Sequence, residues 1–157
     1  MAASATRPMT HPLAVLFACG LNSVRSPMAA ALFAQICGRG IYVASAGVRK
    51  GDLDPFAVAV MAEIGLDISR HKPVTFEEID EWEGLNFDLI ITLAPEAHHR
   101  ALELTRTSGV DVEYWPMVDP SGVEGSREQR LDAYREVRDQ ILAHIRQRFV
   151  TRGTGNE

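Results

Sequence analysis

Four short apolar runs, PLAVLFA (12–18), IYVASAG (41–47), FDLIITLA (87–94) and VDVEYWP (110–116), punctuate the chain at wide intervals. Each has the length and the β-branched or aromatic content of a buried strand. Helical patterns fill the spaces between them, over 26–37, 54–65, within 72–84 and over 95–105, and a last helix covers 126–149. Strands that alternate with helices from end to end predict an α/β fold of one domain in three layers, a parallel sheet with helices on both faces. Crossovers in such sheets are right-handed, and ligands bind outside the carboxyl ends of the strands where the strand order switches direction.

A chain of 157 residues is long enough for one domain with a proper core and too short for two. Apolar residues make up 46% and charged residues 24%, the balance of a soluble globular protein. The formal charge of −5 argues against a broad nucleic-acid footprint. Cys19 and Cys37 are the only cysteines, too few for a disulfide framework or a thiolate zinc site. The segment MAASATRPMTHPLA has no signal-like apolar core, and no run has the length of a membrane span, so the expectation is a cytoplasmic protein that makes no membrane contact. Residues 1–11 read as a flexible arm, 12–149 as the domain and 150–157 as a flexible tail.

The stretch FACGLNSVRSP (17–27) carries the chemistry. Cys19 ends the first strand, Arg25 follows six residues later, and Ser26-Pro27 opens the next helix, with Ser26 as its expected N-cap. A helix N-terminus offers unpaired N–H groups and the positive end of a dipole, and a loop wrapped before it can aim more N–H groups at a tetrahedral oxyanion. Positive charge there favours the thiolate form of a cysteine at the base of the loop. Arg25 supplies a planar fork for two oxyanion oxygens, and the Ser26 hydroxyl is placed to donate to the sulfur. Gly20 and Asn22 tolerate the positive φ that a tight anion loop demands.

CGLNSVRSP resembles the cysteine-x5-arginine-serine loop of the low-molecular-weight protein tyrosine phosphatases, which carry it near the start of the chain. The resemblance spans about residues 13–149. It implies a four-stranded parallel sheet, catalysis without metal or other cofactor, and a catalytic aspartate in an Asp-Pro pair before the last helix. Asp119-Pro120, in WPMVDPSG, stands at that place, whereas Asp54-Pro55 reads as a plain helix start. The family resemblance therefore assigns Cys19 as nucleophile, Arg25 as phosphate ligand and Asp119 as general acid and base. It assigns Gly20, Leu21, Asn22, Ser23, Val24, Arg25 and Ser26 to the phosphate loop, with Asn22, Ser26, Ser45 and His71 as its braces. The substrate it implies is a phosphorylated protein or a small aryl phosphate.

The chain also departs from that pattern. Val24 stands where many members have a second cysteine, Leu21 replaces a common glycine, and Ser121-Gly122 follows Asp119-Pro120 where tyrosines are frequent. Arg49 and Lys50 occupy the usual place of an aromatic clamp, and Leu93-Ala94 that of Met-Asp. These departures weaken phosphotyrosine specificity and leave the phosphoryl-transfer chemistry intact. One rival function is arsenate reduction, restricted to an external thiol because no further cysteine pair exists; another is a phosphate-binding module without turnover.

The remaining features read as structural. His98 and His99 are adjacent on a helix and diverge by about 100°, unlike a metal pair. Glu77, Glu78, Asp80, Glu81 and Glu83 form a solvated face. Trp82 and Trp115 are expected to pack. Cys37 belongs to the core at the far end of the first helix, roughly 17 Å from Cys19 and beyond disulfide reach.

Overall fold

The computed structural model describes residues 14–151; the expected arm and most of the expected tail lie outside the described residues. Four strands, β1 (Ala14–Cys19), β2 (Tyr42–Gly47), β3 (Leu89–Thr92) and β4 (Asp111–Tyr114), pair in parallel in the order β2-β1-β3-β4. Among the described residues five α-helices accompany them: α1 (Arg25–Cys37), α2 (Pro55–Ala62), α3 (Phe76–Glu83), α4 (Pro95–Leu104) and α5 (Arg127–Ile145). Helix α5 runs on as a π-helical turn, Arg146–Thr151.

Central strands β1 and β3 read as continuous apolar runs because both faces are covered; Val15 to Cys19 and Leu89 to Thr92 are buried. Edge strands β2 and β4 keep exposed residues such as Tyr42 and Tyr114. Helices α1, α2 and α5 pack as one group with α1 against β1 and β2, while α4 packs against β1, β3 and β4 and α3 against β2. Phe17 of β1 joins Phe33 of α1 and Trp115 at ring separations of 5.7 and 6.2 Å, so Trp115 packs as expected. The chain leaves β1 toward β2 and leaves β3 toward β4, in opposite directions. The strand order therefore switches between β1 and β3, and Cys19 lies at that crevice.

Local signals explain most helix boundaries. Ser126 and Gln129 form a capping box at α5, and Thr75 with Glu78 forms another at α3. Asp54 caps α2 through the Phe56 N–H, and Pro55 takes the first helical position. Helices α2 and α5 are clamped by Glu63, which accepts from Arg135 and Arg138; the Arg135 hydrogen bonds, foremost, hold its pKa at about 2.

Several expectations need correction. Ser26 is not the N-cap of α1: the cap position is Val24, Ser26 sits inside the first turn, and its hydroxyl has another use. Trp82 does not pack but is 64% exposed. Phe76 and Ile79 define the buried side of α3, and each three-residue step rotates 60° off that line, so Trp82 lies about 120° from Phe76. Cys37 is only partly buried against the core. The acidic face of α3 is bound by cations and a phenol: Glu77 by Arg100, Glu78 by Lys50, and Glu83 by the Tyr42 hydroxyl.

Candidate active site

The carbonyl oxygens of residues 19–23 are engaged from outside the loop. Val48 N–H donates to Cys19 O (3.2 Å), Arg49 N–H to Gly20 O (3.0 Å), Gly51 N–H to Leu21 O (3.0 Å) and Asp54 N–H to Ser23 O (3.2 Å). Asn22 O is taken by His71 Nε2 at 3.2 Å. The C=O and N–H of a trans peptide point in opposite directions. The amides of residues 20–24 are thereby turned away from these outer partners, toward the inner side of the loop. Helix α1 has no side-chain cap at this end, so its first N–H groups face the same space. The result is a cradle of backbone donors for an oxyanion.

Asn22 makes this turn possible and then secures it. Its φ of 57° is the left-handed conformation that asparagine tolerates better than most side chains. Its Nδ2 donates to Ser26 Oγ (2.8 Å) and Ser45 Oγ (2.9 Å), and its Oδ1 accepts from Val74 N–H (2.9 Å) and His71 Nε2 (3.0 Å). Gly47 permits the close approach, since a Cβ there would stand 2.8 Å from Asn22 N and 2.4 Å from Arg49 O. Gly20 differs from expectation: its φ is not positive, and the space beside it is taken by the Glu96 carboxylate, 2.6 Å from where a Cβ would be.

Ser26 Oγ lies 2.9 Å from Cys19 Sγ and 3.4 Å from Ala46 O. Because Ser26 Oγ already accepts from Asn22, its one hydrogen has two acceptors in reach, Ala46 O and the nearer sulfur, and a thiolate would be the stronger of the two. Cys19 is 2% exposed, at the floor of a cleft of ≈ 370 Å³ whose walls include Leu21, Arg25, Asp54, Phe56, Asp119 and Arg130. Arg25 Nη1 donates to Met117 O at 3.0 Å, and Nη2 lies 3.7 Å from Asp119 Oδ2. Asp119 is 47% exposed and also shapes a turn, accepting from Ser121 N–H (3.0 Å) and Ser121 Oγ (2.8 Å).

The structure thus brings Cys19, Arg25, Asp119, Asn22, Ser26, Ser45 and His71 into one connected constellation. Val24 is buried and Leu21 is 41% exposed, and both line the cleft. Arg49 forms a two-bond pair with Glu96 at 3.0 and 3.2 Å, and Lys50 reaches Glu78 at 2.6 Å, so the place of the aromatic clamp is a charged rim. His98 and His99 serve structure: His98 Nδ1 lies 2.9 Å from Thr92 Oγ1 and its ring stacks on Tyr114, while His99 lies 3.7 Å from Glu103. The sequence reading missed Phe56, Arg130 and Tyr134 near the cleft. It gave Asp54 only a capping role, although Asp54 also lines the cleft and accepts from Tyr134.

His71 has a sign-defined pH behaviour. Both partners of its Nε2 are oxygens that accept, so Nε2 carries the hydrogen. Burial, the larger influence, lowers its pKa below the ordinary 6.5 against the opposing hydrogen bond to Asn22. A histidine with a depressed folded pKa leaves the unfolded chain binding more protons at mildly acidic pH. Its contribution to stability is present above pH 6.5 and is lost as pH falls through the lower folded value. Thermal melts between pH 7.5 and 5 are expected to show a steeper loss of Tm for the wild type than for His71→Asn; parallel curves would refute this role.

Comparison with known proteins agrees with the geometry. An arsenate reductase of Bacillus subtilis is 35% identical over 127 residues, 81% of this chain and 88% of the relative. The YwlE arginine phosphatase of Bacillus subtilis, solved with a phosphorylated active-site serine, matches at 27% identity and TM-score 0.68, covering 85% of this chain and 91% of that one. The tyrosine phosphatase amsI of Erwinia amylovora shares the fold at TM-score 0.69 and 19% identity, over 89% and 92% of the two chains. No helix among the described residues is long and apolar enough to cross a membrane. The low molecular weight phosphotyrosine protein phosphatase family profile matches residues 14–152, and with a cysteine–arginine anion loop at the switch point of a β2-β1-β3-β4 sheet, the chain belongs to that family of phosphatase-type enzymes.

Proposed function

We propose that this protein hydrolyses phosphotyrosine or related aryl phosphate monoesters through a Cys19 thiophosphate intermediate. The observation that carries the reading is the placement of Cys19 Sγ, with the Ser26 hydroxyl at 2.9 Å, at the floor of a cleft that also holds Arg25 and Asp119. The Cys19 thiolate attacks phosphorus in line as the ester P–O bond breaks. Arg25 and the loop amides bind the equatorial oxygens, whose charge they stabilise. Asp119, as the carboxylic acid, gives its proton to the departing oxygen. As the carboxylate it then takes a proton from water, whose oxygen attacks phosphorus; the P–S bond breaks, and inorganic phosphate leaves with the thiolate restored.

The names of the curated relatives favour a second reading, arsenate reduction from the same loop. Cys19 would attack arsenate with loss of hydroxide. An external thiol would then attack the Cys19 sulfur, releasing arsenite as As(V) takes two electrons, and a second thiol would reduce the mixed disulfide. The thiols must be external: Cys37 ends the 13-residue helix that Arg25 begins, about 18 Å along its axis.

A substrate panel tests both. Hydrolysis of p-nitrophenyl phosphate and phosphotyrosine without thiol is the expected result, with phosphoarginine as a further arm because YwlE is an arginine phosphatase. Turnover of arsenate with glutathione or dithiothreitol, together with inert esters, would overturn the hydrolase reading. A protein that binds phosphate and turns over nothing would overturn both and leave a binding module.

A further inference from the structure

The phosphate loop and the Asp119 loop come from opposite ends of the chain, yet proton transfer needs their spacing held to a fraction of an ångström. One tie is direct: Arg25 reaches Met117 O and Asp119. A second runs beneath the cleft through Asp54. Its N–H donates to Ser23 O of the phosphate loop (3.2 Å), its Oδ1 accepts from Phe56 N–H (2.8 Å), and its Oδ2 accepts from the Tyr134 hydroxyl (2.6 Å).

Tyr134 is 1% exposed on α5, and its ring meets Phe56 edge-on at 5.4 Å. Helix α5 begins seven residues after Asp119-Pro120, and the turn between packs on it with Pro120 buried. Burial first, and the Asp54 carboxylate after it, raise the pKa of the phenol, which stays protonated as a donor. Asp54 therefore joins the phosphate loop to the helix that carries the acid loop, and neither partner need touch the phosphoryl group.

We propose that the Asp54–Tyr134 hydrogen bond is a strut that sets the separation between Cys19 and Asp119, which makes Asp54 and Tyr134 positioning residues for proton transfer. The inference rests on the phosphatase reading. Displacement of an acid by about 1 Å can cost on the order of 10²-fold in rate, but only where the leaving group needs the proton.

Tyr134→Phe keeps the ring and removes the strut. Asp54→Ser keeps a good helix cap but is too short to reach Tyr134. Each variant is expected to lower kcat/KM for phenyl phosphate by about 10-fold or more, to change kcat/KM for 2,4-dinitrophenyl phosphate by less than about threefold, and to leave the inhibition constant of phosphate nearly unchanged. The double variant should lose no more than the worse single one, because both remove the same bond. Equal losses for both esters, a normal rate with phenyl phosphate, or additive losses in the double variant would overturn the strut. If Tyr134→Phe fails to fold, Asp54→Ser alone decides on the ester comparison. A wild type inert toward every ester would overturn the phosphatase reading itself, a result distinct from any of these.

Discussion

Cys19→Ser is expected to lower hydrolysis of p-nitrophenyl phosphate by roughly 10⁴-fold or more, while inorganic phosphate still binds within a few-fold of the wild-type affinity. The reason lies in which groups do which work. The cradle is built from amides whose orientation depends on Val48, Arg49, Gly51, Asp54 and His71, none of which touches the sulfur. Arg25 is likewise held by Met117 O and Asp119. Serine therefore leaves the anion site standing and removes the thiol nucleophile, and the hydrogen-bond partner at position 19, the Ser26 hydroxyl, is no base for a serine hydroxyl. Initial rates with phosphate titration calorimetry on the same variant check both halves. Activity close to wild type would remove Cys19 from the chemistry, and loss of phosphate binding would mean that the thiol supports the cradle.

Asp119→Asn is expected to lower kcat/KM for phenyl phosphate and phosphotyrosine by roughly 10²–10⁴-fold, and for an ester with a strongly acidic phenol far less. Asp119 has a structural use as well, because it caps the turn at Pro120–Gly122 through Ser121. Asparagine is a comparable cap and keeps the Oδ1 acceptor, so this substitution separates the two uses. If Asp119 were only a turn residue, the variant would behave alike toward every leaving group. A series of phenyl phosphates of graded leaving-group acidity measures the difference as a slope, and an unchanged slope would send the search for the acid elsewhere.

The two expectations differ in how far the sequence carried them. The Cys19–Arg25 spacing, at the end of a buried run and before a proline-started helix, was legible because every part of it is local: strand, turn and first helical turn lie within a dozen residues. Asp119 was reached through the family resemblance, which implies an Asp-Pro pair before the last helix, and its closeness to Arg25 is a contact across 94 positions of chain, visible only when folded. Ser26 shows the opposite error. Serine before proline is a reasonable cap signal, but a hydroxyl inside the first turn, bonded to Cys19 and Asn22, has more to offer there.

The alternation of apolar runs with helical periodicity determined the layers, because burial on both faces leaves a strand no polar positions and burial on one face gives a helix its stripe. The capping boxes of α3 and α5 and the anion loop were likewise settled by short-range chemistry. Tertiary structure alone decided the strand order, the joining of Asn22 to Ser45, His71 and Val74, the exposure of Trp82, and the meeting of Asp54 with Tyr134 across 80 residues. A side chain's partners across the fold depend on how helices and strands dock, and docking is governed by the summed packing of whole faces, which no window of sequence contains.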